Sequence, residues 1–220
     1  MMKKLLMLLV IPAVLAGCND ADTEETAIEE VEATEEVEET EETVEETEEA
    51  RELPAPREED GDYSAEGSSV NVGNFDEFMY VEDALYIDLR DYEDYAQLHM
   101  KNFEVIPFFA VMHNEEAHEN EEMIQLFGGE TTDPQPVYTA SEALLKEMFP
   151  QDKTLFIMCQ SGARVAWMME ILEAYDYDMD NIYNIGGLGT YTDSKYAPYI
   201  TNTEELTIQV EYDFTGLTRN

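Results

Sequence analysis

The chain has 220 residues, with 52 acidic against 11 basic side chains and a formal net charge of -41. That balance excludes the basic footprint a nucleic-acid-binding protein needs, and no run of about 20 apolar residues marks a membrane span. With only two cysteines, Cys18 and Cys159, a disulfide-built scaffold is excluded as well.

Met1-Met2-Lys3-Lys4 is a basic start, and Leu5 to Ala16 is a short apolar stretch of signal-peptide type. Leu15-Ala16-Gly17-Cys18 resembles the bacterial lipobox. The resemblance implies a signal peptide over 1–17, cleavage before Cys18, a lipid on its sulfur and an extracytoplasmic protein held at the cell membrane by that lipid alone. Cys159 is then the only thiol of the mature chain, with no resolving cysteine for dithiol chemistry.

Residues 18–62 read as an acidic, disordered tether. Glu24 to Glu49 is almost entirely Glu, Thr, Val and Ala, too polar and self-repelling to bury a face. A flexible linker of about fifty residues spans on the order of 40 Å, and like charges extend it further. From Tyr63 onward 30 acidic and 7 basic residues leave a net -23, so the part expected to fold is itself strongly acidic. Such a surface needs salt to screen its self-repulsion, and a salt-adapted source is the expectation.

Residues 63–220 are enough for one domain. Val70-Asn71-Val72 reads as a first strand, and Phe75, Phe78 and Met79 fall at helical spacing. Leu85 to Leu89 is an apolar run suited to a strand buried on both faces, ending in Asp88-Leu89-Arg90. Tyr92, Tyr95 and Leu98 predict a helix, and Phe103 to Ile106 a third strand stopped by Pro107. Residues 108–135 form an insertion, with a helix expected over Glu115–Phe127. His113 and His118 do not share a helical face, and His118 with Glu122 is too small a set for a metal site, so no metal or other cofactor is assigned. Ser141 to Met148 predicts a helix with Glu142 in its first turn.

The next apolar run, Leu155-Phe156-Ile157-Met158, leads into Cys159-Gln160-Ser161-Gly162-Ala163-Arg164, and a helical pattern runs from Val165 to Tyr175. Strand, tight glycine-bearing loop and helix place an anion on backbone N–H groups at a helix N-terminus. A cysteine at the strand end puts its sulfur among those donors, which favours a thiolate or persulfide over a neutral thiol. Gly162 permits the inward bend and Arg164 offers a permanent cation at the rim. The helix that follows is apolar nearly all round and is expected to be buried between the sheet and a second layer. Ile182 to Ile185 reads as the last parallel strand, and Thr207 to Tyr212 alternates like an edge strand.

The loop Cys-x-x-Gly-x-Arg after a buried strand resembles that of rhodanese-like sulfurtransferases. Leu85-Tyr86-Ile87-Asp88-Leu89-Arg90, Tyr95 to Lys101 with His99 and then Val105-Ile106-Pro107, and Asn184 to Tyr191 with its Gly186-Gly187 turn are similar to other parts of that family, in order over roughly Val70 to Pro198. The resemblance implies an α/β fold with a five-stranded parallel sheet in the order 1-5-4-2-3 and helices on both faces. It also implies sulfur transfer through a persulfide on Cys159, from thiosulfate or a persulfide or polysulfide donor to an acceptor thiol or cyanide. Backbone N–H groups of Gln160, Ser161, Gly162, Ala163, Arg164 and Val165 would hold the small sulfur-containing anion.

Asp88 and Arg90 read as an ion pair tying the strand to neighbouring helices rather than as catalysts, and His99 as a hydrogen-bonding residue. Two other functions stand beside sulfur transfer. One is a phosphatase or arsenate reductase on the same fold, which resembles a longer loop with five residues between cysteine and arginine, where this chain has four. The other is a non-catalytic binding module displayed on its tether.

Overall fold

The computed structural model describes residues 52–202 and 207–220. The signal peptide, Cys18 and the tether through Arg51 lie outside the described residues.

A parallel sheet forms the centre. Its strands are β1 (Ala84–Asp88), β3 (Glu104–Val105), β6 (Thr154–Cys159) and β7 (Ile182–Gly187), in the order β3-β1-β6-β7. The apolar runs read from the sequence supply these strands, and their Leu, Ile, Phe and Tyr side chains divide between two cores. On one face Ile87, Leu155 and Ile157 pack with Leu145 of α2 (Ser141–Met148) and with Val165, Met168, Met169 and Leu172 of α3 (Ala163–Ala174). On the other, Tyr86, Phe156 and Tyr183 lie side by side in register, with ring centroids 5.2 and 5.0 Å apart. Phe75 closes that stack from below with edge-on contacts to Tyr86 and Tyr191. Helices thus cover the first face, whereas the second is covered by short 3-10 turns and by Tyr95 of α1 (Tyr92–Gln97).

The sheet has four strands where five in the order 1-5-4-2-3 are expected, and the expected first strand is missing. Val70 is fully buried as a plug in the second core, but Asn71 and Asn74 bond each other's backbone and fold the segment into a turn. Asparagine side chains offer the chain a local alternative to a sheet ladder. The start of β7 and the turn before it are instead met by the segment around Arg57. Arg57 donates to the carbonyls of Met179 and Ile182, both at 2.7 Å, and the Tyr183 hydroxyl donates to Pro54. Residues 53–57, read as tether, therefore dock on the domain, because a guanidinium satisfies two carbonyls at once.

The insertion also departs from expectation. No helix spans 115–127. Phe108–Met112 forms a π-helical turn, the Asn114 and Asn120 side chains accept from Glu116 N–H and Glu122 N–H in successive turns, and β4 (Phe127–Glu130) pairs antiparallel with β5 (Asp133–Pro136). Five glutamates between 115 and 122 repel one another in a helix, and Gly129, at φ +75°, opens the hairpin. Thr207 to Tyr212 forms no strand. The last residues strap the insertion instead: Thr139 N–H donates to Thr218 O, Asn220 N–H to Val137 O, and the Arg219 guanidinium to the carbonyls of Ala117, Asn120 and Met123. A further antiparallel pair, β2 (Leu98–Met100) with β8 (Ile200–Asn202), has no counterpart in the sequence reading and ends the predicted helix at Gln97.

Candidate active site

Three strand ends meet at one edge of the sheet: Asp88 of β1, Cys159 of β6 and Gly187 of β7. The carboxyl ends of parallel strands are where open α/β sheets bind ligands. Cys159 pairs with Gly187 across a register shift, and its side chain lies on the α3 face, 1 % exposed. Its Sγ accepts the Gly162 N–H at 3.1 Å. Around it Gln160, Ser161 and Ala163 are exposed, so a buried sulfur sits under an open rim. Gly162 is the N-cap of α3 at φ +94°, a conformation that L side chains rarely adopt. The N–H groups of Ala163, Arg164 and Val165, in the first turn, have no intrahelical carbonyl to bond, as at any helix start. Val165 turns its side chain into the core.

Two further residues hold this loop, Asn184, whose side chain the sequence reading gave no role, and Gly187 of the Gly186-Gly187 turn. Asn184, in the middle of buried β7, donates to Gly162 O at 3.0 Å and to Tyr63 O at 2.8 Å, and accepts from Gly186 N–H. A polar residue inside Ile182-Tyr183-Asn184-Ile185 was the available signal. Gly187 is the second: a Cβ there would stand 2.1 Å from the Gln160 carbonyl oxygen. The loop lies directly against its backbone.

Arg164 does not close over the sulfur. Its Nη1 donates to Leu89 O at 3.3 Å and lies 3.7 Å from an Asp91 carboxylate oxygen, and the guanidinium stands 5.5 Å from the centre of the Phe109 ring. The Leu89 carbonyl also accepts Phe108 N–H, and Leu89 N–H bonds Met158 O, next to Cys159. This junction brings the insertion's first turn to the mouth of the site. Trp167, one turn along α3, lies against Phe108 and Phe109 and is 41 % exposed. The expectation that α3 is buried all round fails there, since the insertion supplies turns rather than a second helical layer.

Asp88 and Arg90 form a buried ion pair. Arg90 Nε and Nη2 grip both carboxylate oxygens at 2.6 to 3.0 Å, and Nη2 also reaches Leu98 O at 2.6 Å. Burial pushes the Asp88 carboxyl up and the Arg90 bonds pull it down. His99 stacks on Tyr95 at 4.2 Å and its Nδ1 bonds Tyr95 O, so its partners belong to the α1–β2 turn. His113 bonds Gly129 O inside the insertion. Among the described residues no three His, Cys, Asp or Glu side chains form a metal-holding group, and no helix is long and apolar enough to cross a membrane.

No curated protein matches the sequence. Residues 2–19 match the family model of the prokaryotic membrane lipoprotein lipid attachment site. Among solved structures, a rhodanese with anions from E. coli is similar at 21% identity over 50% of this chain and 92% of that chain, with TM-score 0.31. A rhodanese-like domain protein from Staphylococcus aureus is similar at 18% identity over 64% and 97%, with TM-score 0.35. A single-domain sulfurtransferase from Saccharomyces cerevisiae is similar at 20% identity over 59% and 85%, with TM-score 0.33. The chain carries a lipoprotein attachment motif at its start, and its folded unit is similar to rhodanese-like domains.

Proposed function

We propose that the folded unit is a sulfurtransferase that carries sulfane sulfur as a persulfide on Cys159. One observation carries the reading: the sulfur ends a buried strand at the N-terminus of α3 and accepts a backbone N–H from a loop with open flanks. Those donors favour negative charge on sulfur in every step.

With thiosulfate, the Cys159 thiolate attacks the outer sulfur. The S–S bond of the donor breaks, sulfite leaves with the electron pair, and the persulfide anion stays on the enzyme. An acceptor thiolate or cyanide then attacks the terminal sulfur, and Cys159 leaves as thiolate. Organic persulfides and polysulfides deliver the same sulfur by the same displacement. In the proposed arrangement Cys18 carries lipid outside the cytoplasm, and the acidic segment to about residue 51 spaces the domain from the membrane.

The test is steady-state kinetics with thiosulfate and cyanide, reading thiocyanate. A two-step covalent route gives parallel double-reciprocal lines at varied cyanide. Intersecting lines, or thiocyanate formation by Cys159→Ser, would exclude it.

A further inference from the structure

Arg164 is the one cation of the site loop, and here its charge is already engaged by Asp91 at 3.7 Å and by the Leu89 carbonyl, while its face covers Phe109. Asp91 is itself half exposed at the mouth. A dianionic donor therefore meets a compensated arginine beside an open carboxylate, on a unit whose net charge from Tyr63 onward is -23. The other surface offered at the same mouth is aromatic. Phe109 is 47 % and Trp167 41 % exposed, their centroids 6.2 Å apart, with Phe108 filling the space beneath. Two large open rings in contact, one of them under the guanidinium of the cysteine loop's Arg164, offer a place for an apolar body rather than for an oxyanion.

Resting on the sulfurtransferase reading, we infer that Phe109 and Trp167 are a donor subsite for a small organic hydropersulfide with an apolar body, and that Asp91 selects against dianionic donors. The Cys159 thiolate attacks the terminal sulfur of R–S–SH. The inner S–S bond breaks, RS⁻ leaves with the electron pair, and the proton stays on the transferred sulfur. No external oxidant or reductant enters. Phe109 and Trp167 hold R while the leaving thiolate departs, and the compensated Arg164 forms the edge of the subsite.

The experiment measures the rate at which Cys159 of the full chain gains one sulfur by mass, from benzyl hydropersulfide and from thiosulfate at one salt concentration. The selectivity, the second-order rate constant for benzyl hydropersulfide divided by that for thiosulfate, is expected to exceed that of a free thiolate in water by at least about tenfold. Phe109→Ala and Trp167→Ala each lower that selectivity roughly fivefold, the scale of losing one apolar contact surface. Phe109→Leu and Trp167→Phe retain most of it. Asp91→Asn lowers it from the other side, by raising the thiosulfate rate. A wild-type selectivity no greater than that of free thiolate, or one unmoved in both alanine variants, overturns the subsite. Failure of both donors and of inorganic tetrasulfide to load Cys159 overturns the underlying sulfurtransferase reading instead.

Discussion

The side-chain amide of Asn184 holds the carbonyl of Gly162 at 3.0 Å, so the last strand of the sheet grips the cysteine loop at its bend. The same side chain also satisfies Tyr63 O and Gly186 N–H, and it is 2 % exposed. Asn184→Leu keeps the volume and leaves three backbone groups without that partner. Unsatisfied buried groups cost about 1–3 kcal/mol each before relaxation. The expected outcome is a loss of roughly 2–5 kcal/mol in urea unfolding, with slower sulfur loading of the molecules that remain folded. Unchanged stability would remove Asn184 from this role.

Gly187→Ala tests the floor of the site without touching a polar group. Its φ of -125° suits any residue, so the strain is purely the approach of Cβ to the Gln160 carbonyl and the Ser161 Cα at 2.1 and 2.5 Å. The loop backbone must move by about an ångström, and a displacement of that size costs on the order of 100-fold in rate when reacting groups depend on position. Sulfur loading is expected to fall steeply while the circular dichroism of the folded unit is retained. Full activity would show that the loop geometry is not what activates Cys159.

Arg90→Leu separates support from catalysis. It leaves the fully buried Asp88 carboxylate without its bidentate partner, and breaking such a pair costs about 3–5 kcal/mol. The variant is expected to lose that much stability while its folded fraction keeps the wild-type KM for thiosulfate. A raised KM at unchanged stability would make Arg90 a binding residue.

The parts of this architecture that were legible in sequence are those where one local pattern faces no competitor. Leu155 to Met158 has nothing polar to divert it from a strand, and Gly162 marks the bend where the chain must turn into α3. The order of the strands came only from the family resemblance, because no local pattern says which strand lies beside which. Val70 to Val72 misled because the strand-like valines flank Asn71, whose local bonds to Asn74 and Ser68 fold the segment. The helix expected over 115–127 meets Asn114, Asn120 and the Gly128-Gly129 pair, whose turns and hairpin prevail. Asn184, Asp91 and Phe109 were illegible for a different reason. Their roles depend on residues 55 to 121 positions away, which no periodicity reports.

His113 should make the insertion sensitive to acid. It is buried against Phe108 and its Nε2 donates to Gly129 O; burial pushes its pKa down, with the Gly129 hydrogen bond and then Glu115 opposing. The unfolded chain therefore takes a proton on this residue first, near pH 6.5. The stability it contributes is present above that pH and falls as pH drops toward the lower folded value. Melting temperatures from pH 7.5 to 5 are expected to fall more in the wild type than in His113→Asn, since both share the titrating carboxylates. Parallel curves would contradict a neutral buried His113.

The most direct test of the account is the mass of the intact protein after brief exposure to inorganic tetrasulfide, with peptide mapping to locate any change. One added sulfur on Cys159 is expected, removed by cyanide with release of thiocyanate, and none in Cys159→Ser. A wild-type protein of unchanged mass, or a sulfur gain that persists in Cys159→Ser, would contradict it.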